Sequence, residues 1–323
     1  MVQMANYKST GFAQQVSGAA VAALKTRAAE WEIPILEQEG VLVLWVWGGE
    51  IRVTLLPGSL KIDLSAPEKR LIGYLRDSTS EILAETGIAI EWSDLDVGAL
   101  APGLSLMTVR AVSQPLPNFL RVRVSGPEAA RFATGGLHFR LLLPPAGRAP
   151  VWPRVAASGR TDWPEGKDAL HRPVYTVLNH GGDWLDFDIF RHDGSPTCDW
   201  AEAGPVGQTV GLIGPGGGWC PEGESLRLFG DETALPAIIR ILDLAKVPAR
   251  AWLRCAPEDL GPLAGDPRVC VVPDLLAALQ AEAPDPEGFT WFAADTVQAR
   301  AARKWLQERR LDRTRFSAMA YWG

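Results

Sequence analysis

The chain has 323 residues, 47% hydrophobic and 22% charged, with a formal net charge of −6; this excludes a globally disordered chain and argues against a dedicated nucleic-acid binder, which carries a basic surplus. That length predicts about two or three domains, each able to bury a core without staples. Four cysteines (Cys198, Cys220, Cys255, Cys270) form no CxxC pair, no 18-residue apolar run exists, and the start MVQMANYKSTGFAQQ is too polar for a signal peptide, so no metal site, no membrane insertion and a cytoplasmic location are expected.

Residues 1–95 read as a small α+β domain. Ala, Val and Leu at helical spacing predict a helix over 12–31, broken by Ile33-Pro34. VLVLWVW (41–47), a Gly48-Gly49 hairpin turn and EIRVTLL (50–56) follow, then SLKIDL after Pro57-Gly58. Asp63 or Ser65 precedes a second helix through about Glu85, and IAIEW (88–92) reads as a closing strand. Four of the six net negative charges lie in this segment, which holds no cluster of nucleophilic or titratable residues. Thirteen Trp against four Tyr is unusual; Trp31, Trp45, Trp47 and Trp92 are expected to build the first core. WSDLDVGALAPG (92–103) reads as a linker.

Over 104–223 strands dominate: LSLMTVRAV, NFLRVRVS, LHFRLLLP, PVYTVLN, DWLDFDIF and QTVGLIG, which predict an antiparallel β-barrel domain. A Gly/Pro-rich loop of exceptional length, 144–171, interrupts them. From 224 to the end, strands and helices alternate, predicting an α/β domain with a mostly parallel sheet.

Four segments carry candidate chemistry. On a strand, Arg172, Val174 and Thr176 share one face and Tyr175 takes the other; an arginine, an aromatic ring and a hydroxyl so spaced could hold a phosphate, stack on a planar ring and hydrogen-bond a ring nitrogen. A surface arginine beside a half-buried tyrosine fits the pentapeptide equally. In HDGSPTCDWA (192–201), Ser195 is a good N-cap and Pro196 suits the first helical position, so first-turn amides could meet a pyrophosphate, or simply belong to a capped helix. Gly214-Pro215-Gly216-Gly217-Gly218 lacks a Walker lysine and reads as a domain-crossing turn. In GDETALP (230–236), Asp231 and Glu232 would oppose a phosphate and are better suited to accepting hydrogen bonds.

In this order and spacing, LRVRVSGPEAARF, RPVYTV, DWLDFDIFRHDGSPTCDWA, GPVGQTVGLIGPGG, LRLFGDETALPAI and FTWFAADTVQARAARKWLQERRLDR ending in AYW resemble the siderophore-interacting protein family of FAD-dependent ferric-siderophore reductases, within the ferredoxin–NADP reductase superfamily. The resemblance runs from about residue 104 to the end; residues 1–95 look like a small uncharacterised domain fused to it. It implies FAD contacts from Arg172, Tyr175 and Thr176, with Tyr175 against the isoalloxazine and Thr176 near its reactive nitrogen edge. It also implies that His192, Gly194, Thr197, Cys198 and Trp200 line the pyrophosphate and adenosine end, and that Gly230, Asp231, Glu232, Thr233, Ala234 and Pro236 form the nucleotide-side motif. Tyr321 and Trp322 would flank the flavin's other face. The electron donor would be NADPH, NADH or reduced ferredoxin, and the substrate an anionic ferric siderophore, met by basic side chains of the long loop such as Arg148, Arg154, Arg160 or Lys167. Three departures stand out: Leu178 replaces an arginine two positions after the motif threonine, Ala293-Ala294-Asp295 replaces AGE, and the chain stops at Tyr321-Trp322-Gly323 without a further arginine. A general flavin-dependent reductase and a non-enzymatic siderophore-binding module are the alternatives.

Overall fold

A computed structural model of the chain describes residues 7–14, 18–31, 33–283 and 285–323. They form two compact units, one of residues 1–104 with 144–170 and one of residues 105–143 with 171–323.

The first unit is a six-stranded antiparallel sheet in the order Ile35–Gln38, Val41–Val46, Gly49–Leu56, Ser59–Ala66, Tyr7–Gln14, Glu91–Trp92, with helices Gly18–Glu30 and Lys69–Ala84. Several boundaries differ from the sequence expectation. Residues 7–14 are a strand, because Ser9, Gly11 and Ala13 alternate inward with exposed neighbours, and the helix begins only at Gly18; residues 15–17 lie outside the described set. Gly11 cannot be larger, since a Cβ would lie 2.6 Å from Ile90 and 2.7 Å from the Trp92 ring. The period-two burial of Ser59–Ala66 runs straight through Asp63 and Ser65, so the second helix starts at Lys69. The hairpin turn is Trp47-Gly48, with Trp47 at φ +51°, and the closing strand shortens to Glu91–Trp92.

The core of this unit is aliphatic rather than built on tryptophan. Leu24, Leu75 and Leu83 from the helices meet Leu42, Leu44, Val53, Leu60, Ile62 and Leu64 from the sheet. Trp45 alternates with Leu44 and Val46 and so faces outward, Trp47 occupies a turn and Trp31 follows the helix end; all three are exposed, and only Trp92 packs against the core.

The long Gly/Pro-rich segment belongs to this unit. The Val155 and Ala101 amides donate to Ala99 and Pro153 carbonyls. Thr161 donates its amide and hydroxyl to Asp77 at 2.7 and 2.9 Å, and Gly159 sits where a Cβ would lie 2.5 Å from the Trp92 indole nitrogen. Its chain position between two barrel strands gave no hint of this destination.

In the second unit, seven strands order as Val174–Thr176, His138–Leu142, Thr209–Gly216, Leu104–Leu116, Phe119–Ser125, Trp184–Phe190, Asn179–His180. The two outermost strands are nearly consecutive in the chain, so the sheet curls back on itself as a barrel-like layer around Phe132, Phe139, Phe187, Val122 and Leu212. The alternating acids of DWLDFDIF find partners across the sheet: Asp186 opposite Arg123 and Asp188 opposite Arg121, each a two-point pair at 2.7–2.8 Å. The same unit holds a five-stranded parallel sheet ordered Val269–Val271, Ala249–Arg254, Leu226–Asp231, Phe289–Asp295, Phe316–Trp322. Leu228, Ala251 and Trp291 meet helix Leu235–Leu244 on one face, while Phe229, Trp252 and Phe292 meet Leu275–Ala281 and Thr296–Glu308 on the other, the two-sided burial expected of parallel strands.

Candidate functional site

The second unit contains a cleft of about 750 Å³, within the range of small-molecule sites. One wall is the strand Val174–Thr176, paired antiparallel to His138–Leu142 with Tyr175 opposite Phe139 and Thr176 opposite His138. The Tyr175 ring packs on Phe187 at 5.2 Å. Burial pushes its phenol up to about 12, opposed by a hydrogen bond with the Thr197 hydroxyl, which also lies 3.0 Å from His171 Nε2. Arg140 donates to the Arg172 carbonyl at 2.7 Å and so ties the first residue of the RPVYT segment to the neighbouring strand.

The opposite wall is the C-terminal strand Phe316–Trp322. The Trp322 indole donates to Asp231 Oδ2 at 2.8 Å, and Thr233 donates its amide and hydroxyl to Asp231 Oδ1 at 3.0 and 2.6 Å. Asp231 is wholly buried, with Arg254 at 3.6 Å. The acid of GDETALP is therefore consumed within the protein, capping its own turn and joining the end of one strand to the final one.

His138 bridges the two walls, with Nδ1 3.1 Å from Thr176 Oγ1 and Nε2 3.0 Å from the Tyr321 hydroxyl. Burial, with the Arg240 guanidinium acting in the same direction, pushes its imidazole down to about 4. Burial, and secondarily the charge of Asp231, pushes the Tyr321 phenol up. Arg240 itself is buried and donates to the carbonyls of Leu137, Val177, Phe132 and Ala133 at 2.9–3.3 Å, holding helix Leu235–Leu244 to the barrel-like layer.

A sequence model described as a siderophore-interacting FAD-binding domain matches residues 108–219, and one described as siderophore-interacting protein matches residues 224–323. Over residues 108–323 the chain belongs to the siderophore-interacting protein family. It is 27% identical over 237 residues to the ferric vibriobactin reductase ViuB of Vibrio cholerae, covering 64% of this chain and 84% of that protein. It is 26% identical over 236 residues to an NADPH-dependent ferric-chelate reductase of Escherichia coli, covering 67% and 91%. Among solved structures, the siderophore-interacting protein SipS of Aeromonas hydrophila shares the fold with a TM-score of 0.56 and 23% identity, over 68% of this chain and 91% of that one. A siderophore utilization protein from T. fusca gives 0.53 and 24%, over 68% and 92%.

The family's FAD fits the cleft as built: an aromatic wall at Tyr175, cationic side chains at Arg140, Arg172 and Arg303, hydroxyls at Thr176 and Tyr321, and a volume suited to a large planar group. Of the residues singled out from sequence, Arg172, Tyr175, Thr176, His192, Thr233, Pro236, Tyr321 and Trp322 line it. Thr197 touches it only through Tyr175. Gly194 lies in an exposed turn at φ +75°, and Cys198 is buried with its amide on Ser195 Oγ at 3.3 Å. Trp200 packs on the barrel core and donates to Gln208, away from the lining. Gly230 and Ala234 are buried packing positions. Of the loop residues, Arg148 pairs with Asp168, Arg154 donates to the Gly98 carbonyl and Arg160 reaches Glu81, all within the first unit; Lys167, in the short turn Gly166–Asp168, also belongs to that unit.

Glu232 lies elsewhere, in a second cavity of about 610 Å³ with Asn118, Arg254, Cys255, Asp259 and Val271. This cavity sits beyond the carboxyl ends of the parallel strands, where ligands of open α/β sheets bind. Burial raises the Glu232 carboxyl, with Asp231 and Asp259 adding to the rise and Arg254 opposing it. The Cys255 thiol is pushed up to about 11 by burial and then by Asp259, Glu232 and Glu258, which keeps it protonated and unreactive.

Sequence reasoning missed His138, Arg140, Asp188 and Arg303 as lining residues. The signal for His138 was a polar residue at the start of the mostly apolar strand LHFRLLLP, but only its register opposite Thr176 makes it part of the site.

Proposed function

We propose that the chain is an FAD-dependent reductase of ferric siderophores, working in the reducing cytoplasm. The observation that carries the reading is the cleft in which Arg172, Tyr175 and Thr176, inside the siderophore-interacting FAD-binding match, converge with Tyr321 and Trp322 of the siderophore-interacting protein match that follows it. The names of the ferric vibriobactin and ferric-chelate reductases support it. Bound there, FAD supplies the redox chemistry, exchanging an electron pair with a nicotinamide donor for single electrons to ferric iron.

The chain's own residues bind and orient. Arg172 supplies positive charge suited to a phosphate group, and Tyr175, held by Phe187 and Thr197, offers a fixed ring face. Thr176 presents a buried hydroxyl, and Phe119, Phe190 and Met319 exclude water from the lining. His138 is held neutral and Tyr175 and Tyr321 protonated, so these three side chains are uncharged donors or acceptors; the charged groups of the lining are Arg140, Arg172, Arg303 and Asp188, the last paired with Arg121. In this reading the second cavity receives the electron donor, with NADPH ahead of NADH. Arg148, Arg154 and Arg160 already have acceptors in the first unit, and the reading does not need them for the anionic substrate.

The test is anaerobic. Purified protein should bind FAD and turn yellow, and a ferric siderophore should reoxidise its photoreduced flavin; NADPH, NADH and reduced ferredoxin are compared as donors in the same cuvette. Colourless protein that takes up no FAD would sink the reading, as would reduced flavin indifferent to ferric chelates while it reduces quinones rapidly.

A further inference from the structure

His138 is 7% exposed and its two ring nitrogens each meet one hydroxyl, Thr176 Oγ1 at 3.1 Å and Tyr321 OH at 3.0 Å. Both hydroxyl-bearing residues line the cleft. They come from different sheets, Thr176 from the barrel-like layer beside His138 and Tyr321 from the parallel sheet. The Tyr321 ring stands edge-on to the imidazole at 5.6 Å. Space for the imidazole is kept by the glycine run after strand TVGLI: a Cβ on Gly217 would lie 2.4 Å from His138 Cδ2, and its φ of +74° independently favours glycine.

A neutral imidazole carries one N–H and one lone pair. Placed between two hydroxyls and buried from bulk water, it has two arrangements that satisfy both nitrogens. With the proton on Nδ1, the ring donates to Thr176 Oγ1, the Tyr321 hydroxyl donates to Nε2, and the Thr176 proton turns to the cleft. With the proton on Nε2, the ring donates to the Tyr321 oxygen, the Thr176 hydroxyl donates to Nδ1, and the Tyr321 proton turns to the cleft while Thr176 becomes an acceptor. Each arrangement holds one proton on each hydroxyl and one on the ring. Passing between them removes a proton from Nδ1 and places one on Nε2, with no net proton gained and no electron moved.

We propose that His138 is a positioning residue whose tautomer decides which of two hydroxyls, Thr176 or Tyr321, donates into the cleft. The consequence rests on the FAD reading above: a ligand edge that accepts a hydrogen bond in one redox state and donates one in the other can be met by Thr176 in both. Without a bridging group able to exchange donor for acceptor, one of those states would leave a buried polar atom unmatched.

The test is nitrogen-15 NMR of the full chain labelled in its four histidines, first without FAD. At pH 7 His138 should show one protonated ring nitrogen and one bare one. Thr176→Val should move the proton to Nε2, whose acceptor remains, and Tyr321→Phe should move it to Nδ1. An imidazolium at pH 7, or the same tautomer in both variants, overturns the proposal. In wild-type protein loaded with FAD, the tautomer ratio should differ between the oxidised and dithionite-reduced forms, and an identical ratio also overturns it. Failure to take up FAD would refute the functional reading instead, and the spectra of the unloaded protein would still decide whether His138 relays between the hydroxyls.

Discussion

The depressed imidazole of His138 couples the cleft to pH, and the size of the coupling follows from burial. In the unfolded chain histidine titrates near 6.5, whereas in the folded protein burial and Arg240 bring His138 down to about 4. The unfolded state therefore binds the proton first as pH falls. The group's contribution to stability is full above about pH 6.5 and is lost as pH drops toward 4. With those two values the loss is about 2 kcal/mol at pH 5 and about 3 kcal/mol at pH 4. His138→Gln keeps a donor and an acceptor at the same place but cannot titrate. Hydrogen exchange of the strand His138–Leu142, followed by mass spectrometry, reads the local opening free energy. Comparing the two proteins at one pH cancels the intrinsic exchange rate. The ratio of wild-type to variant protection should fall about twenty-fold between pH 7 and pH 5, the equivalent of about 2 kcal/mol. An unchanged ratio would refute the argument, showing that the imidazole is either protonated in the fold or open to water.

Arg240→Leu should lower the urea midpoint of the second unit by the equivalent of about 3 kcal/mol or more, because four backbone carbonyls lose their donor in a buried position; Arg240→Lys, with charge but fewer donors in a fixed fork, should fall between. Asp77→Ala removes both hydrogen bonds from Thr161, and limited proteolysis should then cut within 155–165 several-fold faster while sites in the second unit keep their rates. Glu39 sits at φ +47° in the exposed turn before Gly40. Glu39→Asn places Asn-Gly, the preferred pair for such a hairpin, and should raise the thermal midpoint of the first unit by the equivalent of about 0.5–1 kcal/mol.

Local order in the chain was enough for most of the barrel strands and for the alternating strands and helices of the C-terminal part. Alternation in 119–125 and 184–190 marked two barrel strands, and their Arg and Asp residues duly fall opposite one another. The βα alternation after residue 224 marked a parallel sheet, and Arg172, Tyr175 and Thr176, grouped within five residues, marked one wall of the cleft, although the strand itself covers only Val174–Thr176 and leaves Arg172 just before it. Period-two reading failed where the inward residues are small or polar and the aromatics face out, as with Ser9, Gly11 and Ala13 against Tyr7 and Phe12 in Tyr7–Gln14, and where tryptophan was taken for core although its strand position points it outward, as at Trp45. Periodicity says which face a side chain takes but not what is brought against that face, which is set by packing between segments far apart in the chain. His138 and Tyr321 are 183 residues apart, and Asp231 and Trp322 are 91 apart. The long loop whose arginines suggested a substrate surface is instead bound by Asp77, Trp92 and the 98–101 backbone in the first unit. The RPVYT wall was thus written in neighbouring residues; the wall opposite, the histidine that joins the two, and the resting place of the loop exist only once the chain has closed on itself.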